Sequence, residues 1–141
     1  MRIKFTVPAV PIAQPRQRHA VRGNHAVNYL PSKHPVHAFK ATCRIAAAEV
    51  MTGGPMTGAV MLTLQIVLPR PKSITRKTRP NPRLRHAKKP DVDNLVKSIK
   101  DALTGLVWVD DSQVAELHAS KWVAAATEQP CVIVDVMQVA E

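Results

Sequence analysis

PDVDNLVKSIKDALTGLVWVDDSQVAELHASK, residues 90–121, carries six of the ten acidic residues of a chain whose net charge is +10. They are Asp91, Asp93, Asp101, Asp110, Asp111 and Glu116, and the residues just upstream are basic. An acidic knot beside a basic run suits a divalent cation working on a phosphate. At about 100° per residue, Val92, Leu95, Val96, Ile99, Ala102, Leu103 and Leu106 gather on one side of a helix. Asp93, Asn94, Lys97, Lys100, Asp101 and Thr104 gather on the other. Pro90 stands where proline is tolerated, Asp91 or Asp93 can cap the helix, both suit its positive end, and Gly105 suits its stop. Val107, Trp108 and Val109 lead to a turn at Asp110-Asp111-Ser112. A strand follows from Gln113 to about Lys121 and Trp122. A helix–turn–strand unit of this kind could return Asp110 or Asp111 towards Asp91 and Asp93.

Outward from this stretch, residues 2–7 alternate polar and apolar as a half-buried strand. Residues 14–37 read as a long loop with Arg16, Arg18, His19, Arg22 and His25, a candidate nucleic-acid contact. His34 and His37 have a metal-site spacing but no acidic or cysteine partner nearby, and read as loop histidines. Residues 36–51 are an alanine-rich helix ended by Gly53 and Gly54. Residues 58–68 are nearly all apolar, which predicts a central strand covered on both faces. Residues 70–90 are basic and proline-rich, with Arg76, Lys77, Arg79, Arg83, Arg85, Lys88 and Lys89 as candidate DNA-binding residues. Their composition builds no packed core and predicts an extended segment, ordered on DNA. Residues 131–139 form a last strand, expected to pair antiparallel with residues 113–123. The order β-α-β-α-β-β predicts one α+β domain over residues 1–141, a mixed sheet with helices packed on it.

Twenty Lys and Arg against ten Asp and Glu favour a polyanionic partner, nucleic acid first. Aromatic residues are few, so the expected core is aliphatic. Cys43 and Cys131 are expected to be free, buried thiols in a reducing compartment. The N-terminal residues resemble no secretory signal, and no apolar run is long enough to cross a bilayer. No Ser-His-Asp or Cys-His arrangement and no glycine-rich phosphate loop is present.

The segments DVDNLVK (Asp91–Lys97), DALTG (Asp101–Gly105) and WVDDSQV (Trp108–Val114) resemble the RusA family of Holliday junction resolvases. These are crossover junction endodeoxyribonucleases, often carried by phages and prophages. The resemblance implies that Asp91, Asp93 and Asp111 are catalytic acids holding one or two Mg2+ ions, with Mn2+ able to substitute. It implies that Lys97 is catalytic, stabilising charge on the phosphate or leaving oxygen. It further implies a homodimer acting on four-way DNA junctions in the cytoplasm of a bacterial or phage-infected cell, with no membrane partner. The residues alone leave other roles open: Asp91 and Asp93 as helix caps, Asp110 as a turn residue or a water-bridged ligand, Lys97 as a partner of Asp93 or Asp101. A basic DNA- or RNA-binding protein without catalysis is the alternative function.

Overall fold

The computed structural model describes residues 1–15, 18–23, 25–29 and 32–141, with only the backbone of 18–22 and 25–29. Its strands are β1 (Arg2–Val7), β2 (Arg18–Arg22), β3 (His25–Tyr29), β4 (Val60–Leu68), β5 (Leu84–Arg85), β6 (Val114–Val123) and β7 (Cys131–Gln138). Its helices are α1 (Val36–Ala48) and α2 (Val92–Leu103). A mixed five-stranded sheet has the order β1-β7-β4-β6-β5, and β2 and β3 form a separate hairpin. The α+β class and the mixed sheet are as expected from sequence.

Strand alternation builds the core. On β1, Ile3, Phe5 and Val7 are buried while Arg2, Lys4 and Thr6 are exposed. Val132, Val134 and Val136 of β7 and Val60, Leu62, Leu64, Ile66 and Leu68 of β4 continue the same buried layer. Against it pack Phe39, Cys43 and Ala47 of α1 and Leu95, Ile99, Ala102 and Leu103 of α2. Each large aliphatic side chain buried here contributes about 1.5–3 kcal/mol relative to exposure.

The last two strands do not pair with each other as the sequence led us to expect. β6 lies parallel to β4, and β7 lies antiparallel to both β1 and β4. The reason is the crossover: α2, packed beside α1 and against the sheet, brings the chain back to run beside β4 in the same direction. β6 thereby takes one flank of β4, and β7 takes the other.

β4 is central, but its face away from the helices is fully covered only at Val67. Met61 and Thr63 are half-buried and Gln65 is exposed on the face away from the helices. The expected long loop at 14–37 contains the β2–β3 hairpin, turning at Gly23 with φ +62°; Ala-Val pairs flanking Gly-Asn are a hairpin signal. The basic segment is also more built than its composition suggested. It holds a short 3-10 turn at Lys72–Ile74, and β5 pairs with the end of β6.

The core is not purely aliphatic. Trp108 is fully buried, its indole N–H satisfied by Thr104 Oγ1 at 3.0 Å. On α2, Val92 is 38% exposed, while Ser98 is buried and donates to the Ile12 carbonyl at 2.6 Å.

Candidate functional site

α2 starts without the cap its sequence offers. Asp91 occupies the N-cap position, yet its side chain makes no capping hydrogen bond. Such a bond is worth about 1 kcal/mol, and here the carboxylate is left free. Asp91, Asp93, Asn94 and Lys97 are all exposed. Among the described residues, no hydrogen bond or ion pair engages the side chains of Asp91, Asp93 or Lys97. The lysine's two candidate structural partners are otherwise arranged: Asp101 pairs with Lys40 of α1 at 3.7 Å, and Asp93 has no cation within bonding reach among the described residues.

Two contacts set α2 beside β6. Lys121 donates from Nζ to the carbonyl oxygens of Lys88 at 2.5 Å and Pro90 at 2.6 Å, at the start of the helix. Lys100 Nζ lies 3.4 Å from Asp111 Oδ2, towards the helix end. The helix therefore runs opposite to the strand. Asp93, Lys97 and Lys100 stand at i, i+4 and i+7, on one stripe of α2, and Asp111 meets the far end of that stripe. Seven residues of helix span about 10 Å, so the acids form a strip rather than a point.

The sheet beside this strip is open. Leu117 and Ala119 pair with Leu62 and Leu64 and so share their face of the sheet. Leu62 and Leu64 are covered by the helices, whereas Leu117 is 45% exposed and Ala119 is exposed. An open pocket of about 470 Å³, lined by Lys89, Pro90, Asp91 and Asn94, lies at the N-terminal end of α2. The Lys89–Pro90 peptide bond is cis.

The turn carrying Asp111 is tightly built. Asp110 accepts from the Ser112 N–H at 2.9 Å and from the Ser112 hydroxyl, and these bonds hold its carboxyl below the usual range. Gln113 Oε1 accepts from the N–H groups of Val109 and Asp110, both at 2.8 Å. Its Nε2 donates to the carbonyls of Met56 and Gly58, both at 2.9 Å. Asp110 is thus engaged as a cap, while the side chain of Asp111 points to Lys100. At the other end of the helix-to-turn link, Gly105 adopts φ +89° and donates to the Trp108 carbonyl at 2.7 Å.

Three aspartates with exposed carboxylates are hard oxygen donors of the kind Mg2+ prefers. The donor chemistry fits, but the enclosure is incomplete: among the described residues, no three His, Cys, Asp or Glu side chains stand close enough to hold a metal ion. His34 is engaged elsewhere, its Nδ1 accepting from the Val36 N–H at 3.1 Å before α1.

The basic segment supplies two kinds of side chain. Arg76, Lys77, Arg79, Lys88 and Lys89 are exposed and have no acidic partner among the described residues. Arg83 pairs with Glu128, donates to Gln65 Oε1 at 2.9 Å and lies 5.7 Å from the Trp122 ring. Arg85 covers that ring at 4.0 Å. Arg70 and Asn81 hold the segment together. Arg70 donates to the carbonyls of Pro82 at 2.8 Å and Ala124 at 3.2 Å, and Asn81 bonds the backbone of Arg76 and Arg79. Of the N-terminal arginines, Arg16 lies outside the described residues, and Arg18 is placed by its backbone at the start of β2. The segment before it is tied to the site, since the Gln14 N–H donates to the Asn94 carbonyl at 2.9 Å.

Sequence reasoning missed two lysines. Lys100 was placed on the polar face with Asp93 and Lys97 but was given no role. Lys121 carries no comparable sequence signal, because its role depends on the crossover.

The family described as Endodeoxyribonuclease RusA matches residues 8–137, which include the whole strip and the basic segment. A curated relative, the uncharacterized protein YqaN of Bacillus subtilis (strain 168), is 36% identical over 142 residues, covering 97% of this chain and 96% of the relative.

Proposed function

Because the chain belongs to the RusA family of endodeoxyribonucleases, we propose that it is a magnesium-dependent enzyme that resolves Holliday junctions in DNA recombination and repair. The observation that carries this reading is the uncommitted state of Asp91, Asp93 and Lys97 on the exposed stripe of α2. Three charged side chains without a partner among the described residues suit ligands from outside the chain.

In this reading Asp91, Asp93 and Asp111 hold Mg2+, with Mn2+ able to replace it. The ion, when bound, supplies an activated water and relieves charge at the phosphorus. Lys97 faces the phosphate or leaving oxygen and stabilises the charge that develops there. Asn94 lines the pocket beside Asp91 and helps to orient the bound strand. Arg76, Lys77, Arg79, Lys88 and Lys89 neutralise backbone phosphates along the arms, with Arg16 and Arg18 extending the contact. Arg83 and Arg85 contribute to the same basic face from beside Trp122. Affinity for DNA then falls by about 0.9 log units per log unit of salt for each phosphate neutralised.

The working unit is a homodimer in the cytoplasm of a bacterial or phage-infected cell. A two-fold dimer matches the approximate two-fold symmetry of a four-way junction and presents two equivalent sites for paired cuts.

The test is cleavage of a synthetic four-way junction with end-labelled arms, in Mg2+ and in EDTA, by the wild type and by Asp91→Asn, Asp93→Asn and Asp111→Asn. Symmetric nicks that require Mg2+ and fall at least about 100-fold in each variant, with junction binding retained, are the expected result. Binding without nicks under every condition would leave the non-catalytic nucleic-acid-binding reading in its place.

A further inference from the structure

Lys100 and Asp111 form an ion pair at the end of the acidic strip. The Lys100 side chain is 22% exposed and the Asp111 side chain 51%. Both belong to elements bonded into the fold. Lys100 is in the last turn of α2, and Asp111 sits on the turn that Asp110 caps and Gln113 ties to Met56 and Gly58. Lys100 retains a favourable setting without its partner, because a cation near the C-terminal end of a helix meets the negative end of the helix dipole.

We propose that Lys100 is a stand-in cation for Asp111. Its ammonium neutralises the carboxylate in the metal-free protein and releases it when a divalent ion arrives. The inference rests on the proposed role of Asp111 as a metal-holding acid and adds a residue that this role does not include. Lys100 is a positioning residue, whereas Lys97, exposed and without a partner among the described residues, is the lysine free for the phosphate.

Competition sets the sign. A divalent ion must displace the Lys100 ammonium from Asp111, so removing that ammonium makes the ion bind more tightly. An ion pair this exposed is weak, and the gain is limited to about fivefold.

The experiment is titration of the full-length protein with Mn2+ in the absence of DNA, free Mn2+ being read by electron paramagnetic resonance. Lys100→Met and Lys100→Gln are expected to bind Mn2+ about two- to fivefold more tightly than the wild type. Lys100→Arg, which keeps the charge, stays within about twofold of the wild type, and Asp111→Asn binds more weakly. If both neutral variants bind as the wild type does or more weakly, while Asp111→Asn still loses affinity, the stand-in role is overturned and the metal site survives. If Asp111→Asn binds Mn2+ as well as the wild type, the assignment of Asp111 fails, and the stand-in role fails with it.

Discussion

The Nζ atom of Lys121 lies 2.6 Å from the carbonyl oxygen of Pro90, the residue before Asp91. Through it β6 anchors the start of α2, and the carbonyl of Lys88 accepts from the same ammonium at 2.5 Å. A charged donor serving two carbonyls in a half-buried setting stabilises by about 1.5–3 kcal/mol. Lys121→Met is therefore expected to lower unfolding free energy by about that amount in urea titration. Junction cleavage should fall more than tenfold at a temperature where the variant is fully folded, because Asp91 loses its fixed base. Full activity in a destabilised variant would show that Lys121 acts on stability alone.

Lys97 and Asp101 stand one helical turn apart yet have different expected phenotypes. Lys97 has no described protein partner, so Lys97→Ala should change stability by less than about 0.5 kcal/mol while lowering the cleavage rate at least about 100-fold. Asp101 pairs with Lys40, so Asp101→Asn should cost up to about 1 kcal/mol and leave cleavage within about threefold of wild type. Paired urea unfolding and single-turnover cleavage measurements separate the two.

Acid should weaken the anchor of the basic segment. The Arg83 guanidinium holds the Glu128 carboxyl below its ordinary value near 4.5, helped by the Ala125 N–H at 3.1 Å. A carboxylate whose folded pKa is depressed contributes stability that is present above its unfolded value and is lost as pH falls through the folded value. The wild type should therefore exceed Glu128→Gln in unfolding free energy at pH 7, and the difference should shrink towards zero below pH 4. A difference that stays constant from pH 7 to 3 would rule out this linkage.

Cys43 should resist thiol reagents. Burial pushes its thiol pKa up to about 12, and it lies fully covered in the core. Cys131 is only half-buried, and burial raises its pKa as well. In native protein at pH 8, one equivalent of Ellman's reagent should react slowly, at Cys131. Cys131→Ser should abolish that reaction until denaturant exposes Cys43.

The strip on α2 was legible in the sequence because helical periodicity is local. The positions of Leu95, Ile99 and Leu103 imply that Asp93 and Lys97 face the other way, and the structure agrees. Val92, read on the apolar side, is 38% exposed, and Ser98 was given no side because its burial depends on an acceptor from elsewhere, the carbonyl of Ile12, 86 residues distant in sequence. The hairpin at Arg18–Arg22 and His25–Tyr29 was signalled locally by Gly23-Asn24, yet basic composition dominated the loop reading. The uncommitted state of Lys97 was not legible, since it depends on Lys40 coming from α1 to take Asp101.

By itself the sequence determined the α+β class, the exposed acidic stripe, the basic segment and the resemblance to junction resolvases, because all of these are written in short-range spacing and charge. Only the tertiary structure decided that β6 runs parallel to β4, that Lys121 anchors Pro90, and that Lys100 holds Asp111. Those relationships arise where segments distant in the chain meet, and the meeting is dictated by how α2 packs beside α1 on the sheet to bury its apolar face.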